Sequence, residues 1–100
     1  MTRQEIKEKI RRAVKNDPNK KYIKSISLFG SYLHGDYQKK SDIDLLVAVK
    51  NGATLFTLAG IQLNFEEYLG RKVDLVEKGS LSRHFKKEVL AEAETIYEKK

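Results

Sequence analysis

Gly30-Ser31 and Asp42-Ile43-Asp44 stand ten residues apart, with an apolar stretch before the first and another beginning inside the second. The acidic half makes the sharper statement. Side chains alternate across a strand, so carboxylates two positions apart leave on one face. At about 3.3 Å per residue the Cα atoms of Asp42 and Asp44 lie about 6.6 Å apart, close enough for both to reach one ion. Two bare carboxylates beside an apolar run cost stability unless a cation or a donor compensates them. Mg²⁺ suits such a pair, because it takes one or two carboxylates together with water and substrate phosphates. The other half supplies donors. Gly30 permits a tight turn with exposed N–H groups, and Ser31 adds a hydroxyl. A short helix starting near Tyr32 would point its positive end at the same place. Together the halves read as a phosphate cradle beside a cation site, the arrangement phosphoryl transfer needs. Each half alone has an ordinary reading, as a turn and as a solvated strand end; the joint pattern is what is specific.

The surrounding elements must hold these residues. Thr2 with Glu5 forms a capping box, and Ile6, Ile10 and Val14 recur at helical spacing until Asn16-Asp17-Pro18-Asn19 stops the helix. Ile23 to Phe29 is a strand with at least one buried face, ended by Gly30. Ile43 to Val49 is nearly all apolar and reads as a central strand covered on both faces. Asn51-Gly52 is a turn. Leu55, Leu58, Phe65 and Leu69 trace one side of a long helix that stops at Gly70. Val73 to Val76 is a short third strand. Ser80 and Ser82 are candidate N-caps, and Phe85, Val89, Ala93 and Ile96 follow helical spacing to the C-terminus. The order helix, strand, strand, helix, strand, helix predicts an α/β or α+β fold with helices on a small sheet.

The bulk numbers narrow the chemistry. One hundred residues suit a single domain spanning 1–100, and 40% hydrophobic residues suffice for a core. With no cysteine there is no disulfide framework, no thiolate metal site and no cysteine nucleophile. No apolar run reaches the roughly 18 residues of a membrane span, and the charged N-terminal stretch is not a signal peptide, so a cytoplasmic protein is expected. Twenty Lys and Arg against fourteen Asp and Glu give +6, which suits an anionic partner and equally suits plain solubility.

Phe29-Gly30-Ser31-Tyr32-Leu33-His34-Gly35-Asp36 and Ser41-Asp42-Ile43-Asp44-Leu45-Leu46-Val47 resemble the nucleotidyltransferase superfamily related to DNA polymerase β, and within it the minimal, single-domain branch. The resemblance extends to Val73-Asp74-Leu75-Val76 and to a C-terminal helix ending in Glu94-Thr95-Ile96-Tyr97. It implies a mixed three- or four-stranded sheet flanked by helices, a triphosphate held at Gly30 and Ser31, and Mg²⁺, as two ions, held by Asp42 and Asp44. It further implies a third carboxylate on the strand after the long helix, for which Asp74 is the matching position, with a part in deprotonating the attacking hydroxyl. The ordinary alternative for Asp74 is an ion pair with Arg71 or Lys72. The branch is similar to the antitoxin half of type VII toxin–antitoxin pairs, which transfers AMP from ATP to a tyrosine of an all-helical HEPN-type ribonuclease. A chain this short leaves no second domain to grip an acceptor, which agrees with an acceptor delivered by a partner protein.

One departure is visible. Many members carry Gly-Ser-x-Ala-Arg-Gly, and here His34 replaces the arginine, exchanging a permanent cation for one that titrates near pH 6–7. His84 reads as a solvated helix residue. Lys39 and Lys40 stand where they could reach phosphate oxygens or simply face solvent. Tyr32, Tyr37 and Tyr68 are candidates to stack on adenine, while Phe65 and Phe85 read as core. Leu81, Phe85 and Leu90 form an apolar side that is either core or partner surface. Two functions stay open: an active protein adenylyltransferase, and an antitoxin that masks its toxin by contact. Direct nucleic-acid binding has no aromatic–basic stacking pattern to support it.

Overall fold

The computed structural model describes residues 1–30 and 42–99, and of His84 and Phe85 only the backbone. The first helix, α1 (Arg3–Lys15), begins where the capping box places it: the Glu5 N–H donates to Thr2 Oγ1 at 3.1 Å, and the Thr2 N–H donates to Glu5 Oε1 at 3.2 Å. A short 3₁₀ turn over Lys20–Tyr22 leads into β1 (Ile23–Phe29). Then come β2 (Ile43–Val49), α2 (Leu55–Leu69), β3 (Val73–Glu77), a second 3₁₀ turn at Lys78–Ser80, α3 (Arg83–Glu92) and β4 (Glu94–Glu98).

The four strands form one mixed sheet in the order β3-β2-β1-β4. Strand β1 runs antiparallel to β2 and to β4, whereas β2 and β3 are parallel. The parallel pair needs a crossover, and α2 supplies it. Central placement of β2 explains its composition: Leu45, Leu46 and Val47 are buried in succession, so both faces are covered there. The main core lies on the face of Ile43, Leu45 and Val47. Ile26 and Leu28 of β1 join it, with Ile6, Ile10 and Val14 of α1 and Ile61, Phe65 and Leu69 of α2. Helix α2 ends at Gly70, whose φ of +64° is the left-handed conformation that closes a helix.

Three expectations need correction. The C-terminal segment does not stay helical. Helix α3 stops at Glu92, and Glu94-Thr95-Ile96-Tyr97-Glu98 becomes an edge strand beside β1. The spacing of Val89, Ala93 and Ile96 fits a helix, but Thr95-Ile96-Tyr97 is β-branched and aromatic, and β1 would otherwise leave its ladder groups unpaired. Helix α1 fastens the strand in place: Lys7 pairs with Glu94, and Arg11 Nε donates to the Ile96 carbonyl at 3.3 Å. The second correction concerns Leu55, which is 83% exposed rather than on the buried side of α2. Phe56 and Leu63 are exposed as well, and the buried stripe begins at half-buried Leu58 and continues through Ile61, Phe65 and Leu69. Ser80 caps no helix; its hydroxyl donates to the Glu77 carbonyl within the 3₁₀ turn.

Candidate active site

Asp44 and Asp74 are partners in the parallel register of β2 and β3. Register partners point to the same face, here the face opposite the main core, because Asp44 alternates with core-facing Ile43 and Leu45. Asp74 therefore stands near enough for its charge to act on the Asp44 carboxyl. Asp44 is half-buried and Asp74 exposed. Burial first, then the charges of Asp74 and Asp42, push the Asp44 carboxyl above its ordinary value of 3.8. Among the described residues no Lys or Arg forms an ion pair with Asp42, Asp44 or Asp74, so the alternative pairing of Asp74 with Arg71 or Lys72 is not made.

Asp42 stands just before β2, which begins at Ile43 as the apolar run predicts, and it is exposed. Its charge reaches Asp44. Among the described residues, however, no three acidic or histidine side chains stand gathered as a ready-made metal cage. The pair assembled by the fold is Asp44 with Asp74 across two strands, and Asp42 stands at its edge.

Gly30 closes the site from the other side. Phe29, the last residue of β1, is the register partner of Asp44, so the next residue turns over the carboxylate. There φ is +77°, and a Cβ at Gly30 would lie 2.2 Å from Asp44 Oδ2. Both the conformation and the space exclude a side chain. The glycine therefore lets the backbone approach the acid directly. Ser31, together with Tyr32, His34, Tyr37, Lys39 and Lys40, lies outside the described residues.

Other candidates are placed away from this role. Tyr68 packs on the core and its hydroxyl accepts from Asn16 Nδ2 at 3.1 Å, tying α2 to the end of α1. Phe65 is fully buried, as expected, while Leu90 is 40% exposed and Leu81 half-buried. The side chains of His84 and Phe85 lie outside the description. Sequence reasoning missed Glu66. Its Oε2 accepts the Val73 N–H at 2.9 Å, and the Lys72 carbonyl accepts the Ile43 N–H at 3.0 Å. These two bonds fix where β3 starts against β2, and hence the level of Asp74 beside Asp44. No local sequence pattern announces such a bond across a helix end.

The donor set is all oxygen, two carboxylates lie side by side with a third at the edge, and no described cation compensates them. Such residues fit a hard divalent cation. Residues 8–100 of the chain match the family described as polymerase beta, nucleotidyltransferase. The chain belongs to that family. This nucleotidyltransferase is 37% identical over 70 residues to the protein adenylyltransferase MntA of Thermococcus cleftensis, covering 70% of this chain and 71% of MntA. A solved candidate minimal nucleotidyltransferase superposes with a TM-score of 0.81 at 30% identity, covering 93% of this chain and 94% of that one. The same fold recurs, with a TM-score of 0.70 at 23% identity, in a structure of a tri-AMPylated Shewanella oneidensis HEPN toxin in complex with an MNT antitoxin, where it covers 96% of this chain and 72% of that one. Like these neighbours, the nucleotidyltransferase is a mixed sheet flanked by helices.

Proposed function

We propose that this nucleotidyltransferase is the antitoxin of a toxin–antitoxin pair and transfers AMP from ATP to a tyrosine of a helical HEPN-type ribonuclease, silencing it. The observation that carries the reading is the in-register pairing of Asp44 with Asp74 beside the side-chain-free backbone of Gly30. The name of the Thermococcus relative and the AMPylated toxin bound to an MNT antitoxin support the substrate and the partner. Among the described residues no helix is long and apolar enough to cross a membrane, which agrees with an acceptor in solution.

Asp42, Asp44 and Asp74 are the residues that would hold Mg²⁺, as two ions. When bound, Mg²⁺ supplies neutralisation of phosphate charge and a lowered proton affinity at the attacking hydroxyl. The chain's own residues do the rest. Gly30 and Ser31 receive the triphosphate on backbone N–H groups and a hydroxyl, and no Cβ at Gly30 separates the nucleotide from Asp44. The tyrosine oxygen forms a bond to the α-phosphorus, the bond from that phosphorus to the β-bridging oxygen breaks, and pyrophosphate leaves. The phenolic proton passes to Asp74, the exposed carboxylate of the pair.

One observation favours a second reading, an antitoxin that masks its toxin without catalysis: the three acids do not form a closed cage among the described residues. Intact-mass spectrometry of the co-expressed partner separates the two. Transfer predicts mass gains of whole AMP units on a tyrosine, lost in Asp44→Ala/Asp74→Ala. An unmodified but silenced partner would establish masking instead.

A further inference from the structure

The sheet face that carries Asp44 at one end carries a basic concavity at the other. Asp44, Leu46 and Ala48 succeed one another on this face of β2, and Lys50 follows the strand. Lys50 is thus about 20 Å along the strand from Asp44. A cavity of about 480 Å³ opens there. Its floor takes one residue from each of three adjacent strands, since Ser25 of β1 pairs in register with both Ala48 of β2 and Glu98 of β4. Lys24, Lys50, Lys78 and Lys99 line it from four separate segments. Among the described residues, four ammonium groups against the Glu98 carboxylate leave the lining at +3.

Solvated lysines lower their energy by spreading apart, and these do not. The backbone draws them together: the Lys50 N–H donates to the Tyr22 carbonyl and the Lys99 N–H to the Lys24 carbonyl, each at 2.8 Å. The Lys50 side chain beside it, then burial and the charges of Lys50 and Lys20, hold the Lys99 ammonium below its ordinary value of 10.5. Among the described residues no carboxylate forms an ion pair with any of the four. Elsewhere the chain does pair its cations, as Arg3 and Lys7 share Glu94. Convergence of four like charges on one carboxylate is what a multivalent anion would relieve.

We propose that this concavity is a binding site for a compact, multiply charged phosphate ligand, separate from the acidic site at the far end of the same face. Compactness favours phosphate over an acidic peptide, whose carboxylates come one per residue at strand or helix spacing and cannot concentrate in so small a volume. Lysine is a point-charge phosphate binder, and the Ser25 hydroxyl on the floor is a donor for the same oxygens. Among the described residues no aromatic ring lines the cavity, so recognition runs through phosphate rather than through a base.

Inorganic tripolyphosphate is the probe, used with EDTA and no Mg²⁺ at about 0.15 M salt, where long-range surface attraction is screened. Calorimetric titration and thermal unfolding of the whole chain are both read. The wild type binds and its melting temperature rises with tripolyphosphate. Lys50→Gln/Lys99→Gln weakens binding about tenfold or more, while its own melting temperature without the anion is no lower than that of the wild type, which shows that it folds. Lys15→Gln/Lys87→Gln, which removes the same charge from two exposed helix positions, binds like the wild type. The proposal is overturned by equal binding in the wild type and Lys50→Gln/Lys99→Gln, or by an equal loss in Lys15→Gln/Lys87→Gln, which would show a response to net charge alone. It is equally overturned if a poly-glutamate peptide binds as tightly as tripolyphosphate, since the face would then suit an acidic protein.

Discussion

Replacing Asp44 by asparagine is expected to make the metal-free protein more stable while removing its activity. Asp44 and Asp74 face each other across neighbouring strands, about 4.8 Å apart in the hydrogen-bonding direction. Two unit charges at that distance repel by about 0.9 kcal/mol at the dielectric of water and about 3.5 kcal/mol at an effective value of about 20. Asp74 is exposed, so screening places the effect near the lower figure, about 1 kcal/mol. In a domain of this size that corresponds to about 4–8 °C in melting temperature. The sign with pH follows from the direction of the shift. Asp44 titrates above its ordinary 3.8 when folded, so its contribution to stability is intact below that pH and is lost as the pH rises through the raised value. Asp44→Asn stays neutral throughout. Its advantage over the wild type is therefore close to zero in acid and grows to about 1 kcal/mol near neutrality. The assay is thermal or urea unfolding of both proteins in EDTA across that range, repeated with Mg²⁺. The cation is expected to raise the wild type's melting temperature and leave Asp44→Asn unmoved. A variant less stable than the wild type at neutral pH without metal, or a difference that ignores pH, would refute the idea that the two acids form an uncompensated pair.

Further changes test the supports of the site. Gly30→Ala meets both a forbidden φ of +77° and the Asp44 carboxylate, so it is expected to lose more than 1 kcal/mol, about the scale of a strained backbone position, and nearly all transferase activity; wild-type unfolding and turnover would contradict the close approach. Glu66→Ala leaves the Val73 N–H without its acceptor, and a loss of about 1–3 kcal/mol is expected, with a fall in the rate of AMP transfer that Glu66→Gln partly restores. Far from the site, Asn64→Leu strips buried Asp17 of its 3.0 Å donor and the Ala13 carbonyl of its 3.1 Å donor; urea unfolding is expected to show a loss of about 1–3 kcal/mol with no change in nucleotide binding.

Much of this architecture was legible because local rules and tertiary demands agree. The capping box at Thr2, the strand from Ile23 to Phe29, the apolar β2 and the glycine stop at Gly70 each obey a short-range rule, and each element lies where that rule puts it. At the C-terminus the spacing of Val89, Ala93 and Ile96 fits a helix, but the deciding influence, the open edge of β1, is about seventy residues distant in sequence. Leu55 is exposed although it shares the spacing of Leu58, Phe65 and Leu69, because periodicity identifies a face but not how far along the helix the core extends. Within the site, D-x-D spacing suggested Asp42 beside Asp44. The closer neighbour is Asp74, because register between parallel strands is set by the crossover helix and by the Glu66–Val73 bond, which no motif encodes. Gly30 was read as a turn residue; its contact with Asp44 required the strand pairing to be known.

The most direct test of the account uses two positions of label on one nucleotide. Purified HEPN-type partner is incubated with this protein, Mg²⁺ and ATP labelled at either the α- or the γ-phosphate. Transfer of AMP with loss of pyrophosphate predicts label on the partner's tyrosine from the α-position and none from the γ-position, and no label from either with Asp44→Asn or Asp74→Asn. Label arriving from the γ-phosphate, or α-label undiminished in those two variants, would contradict it.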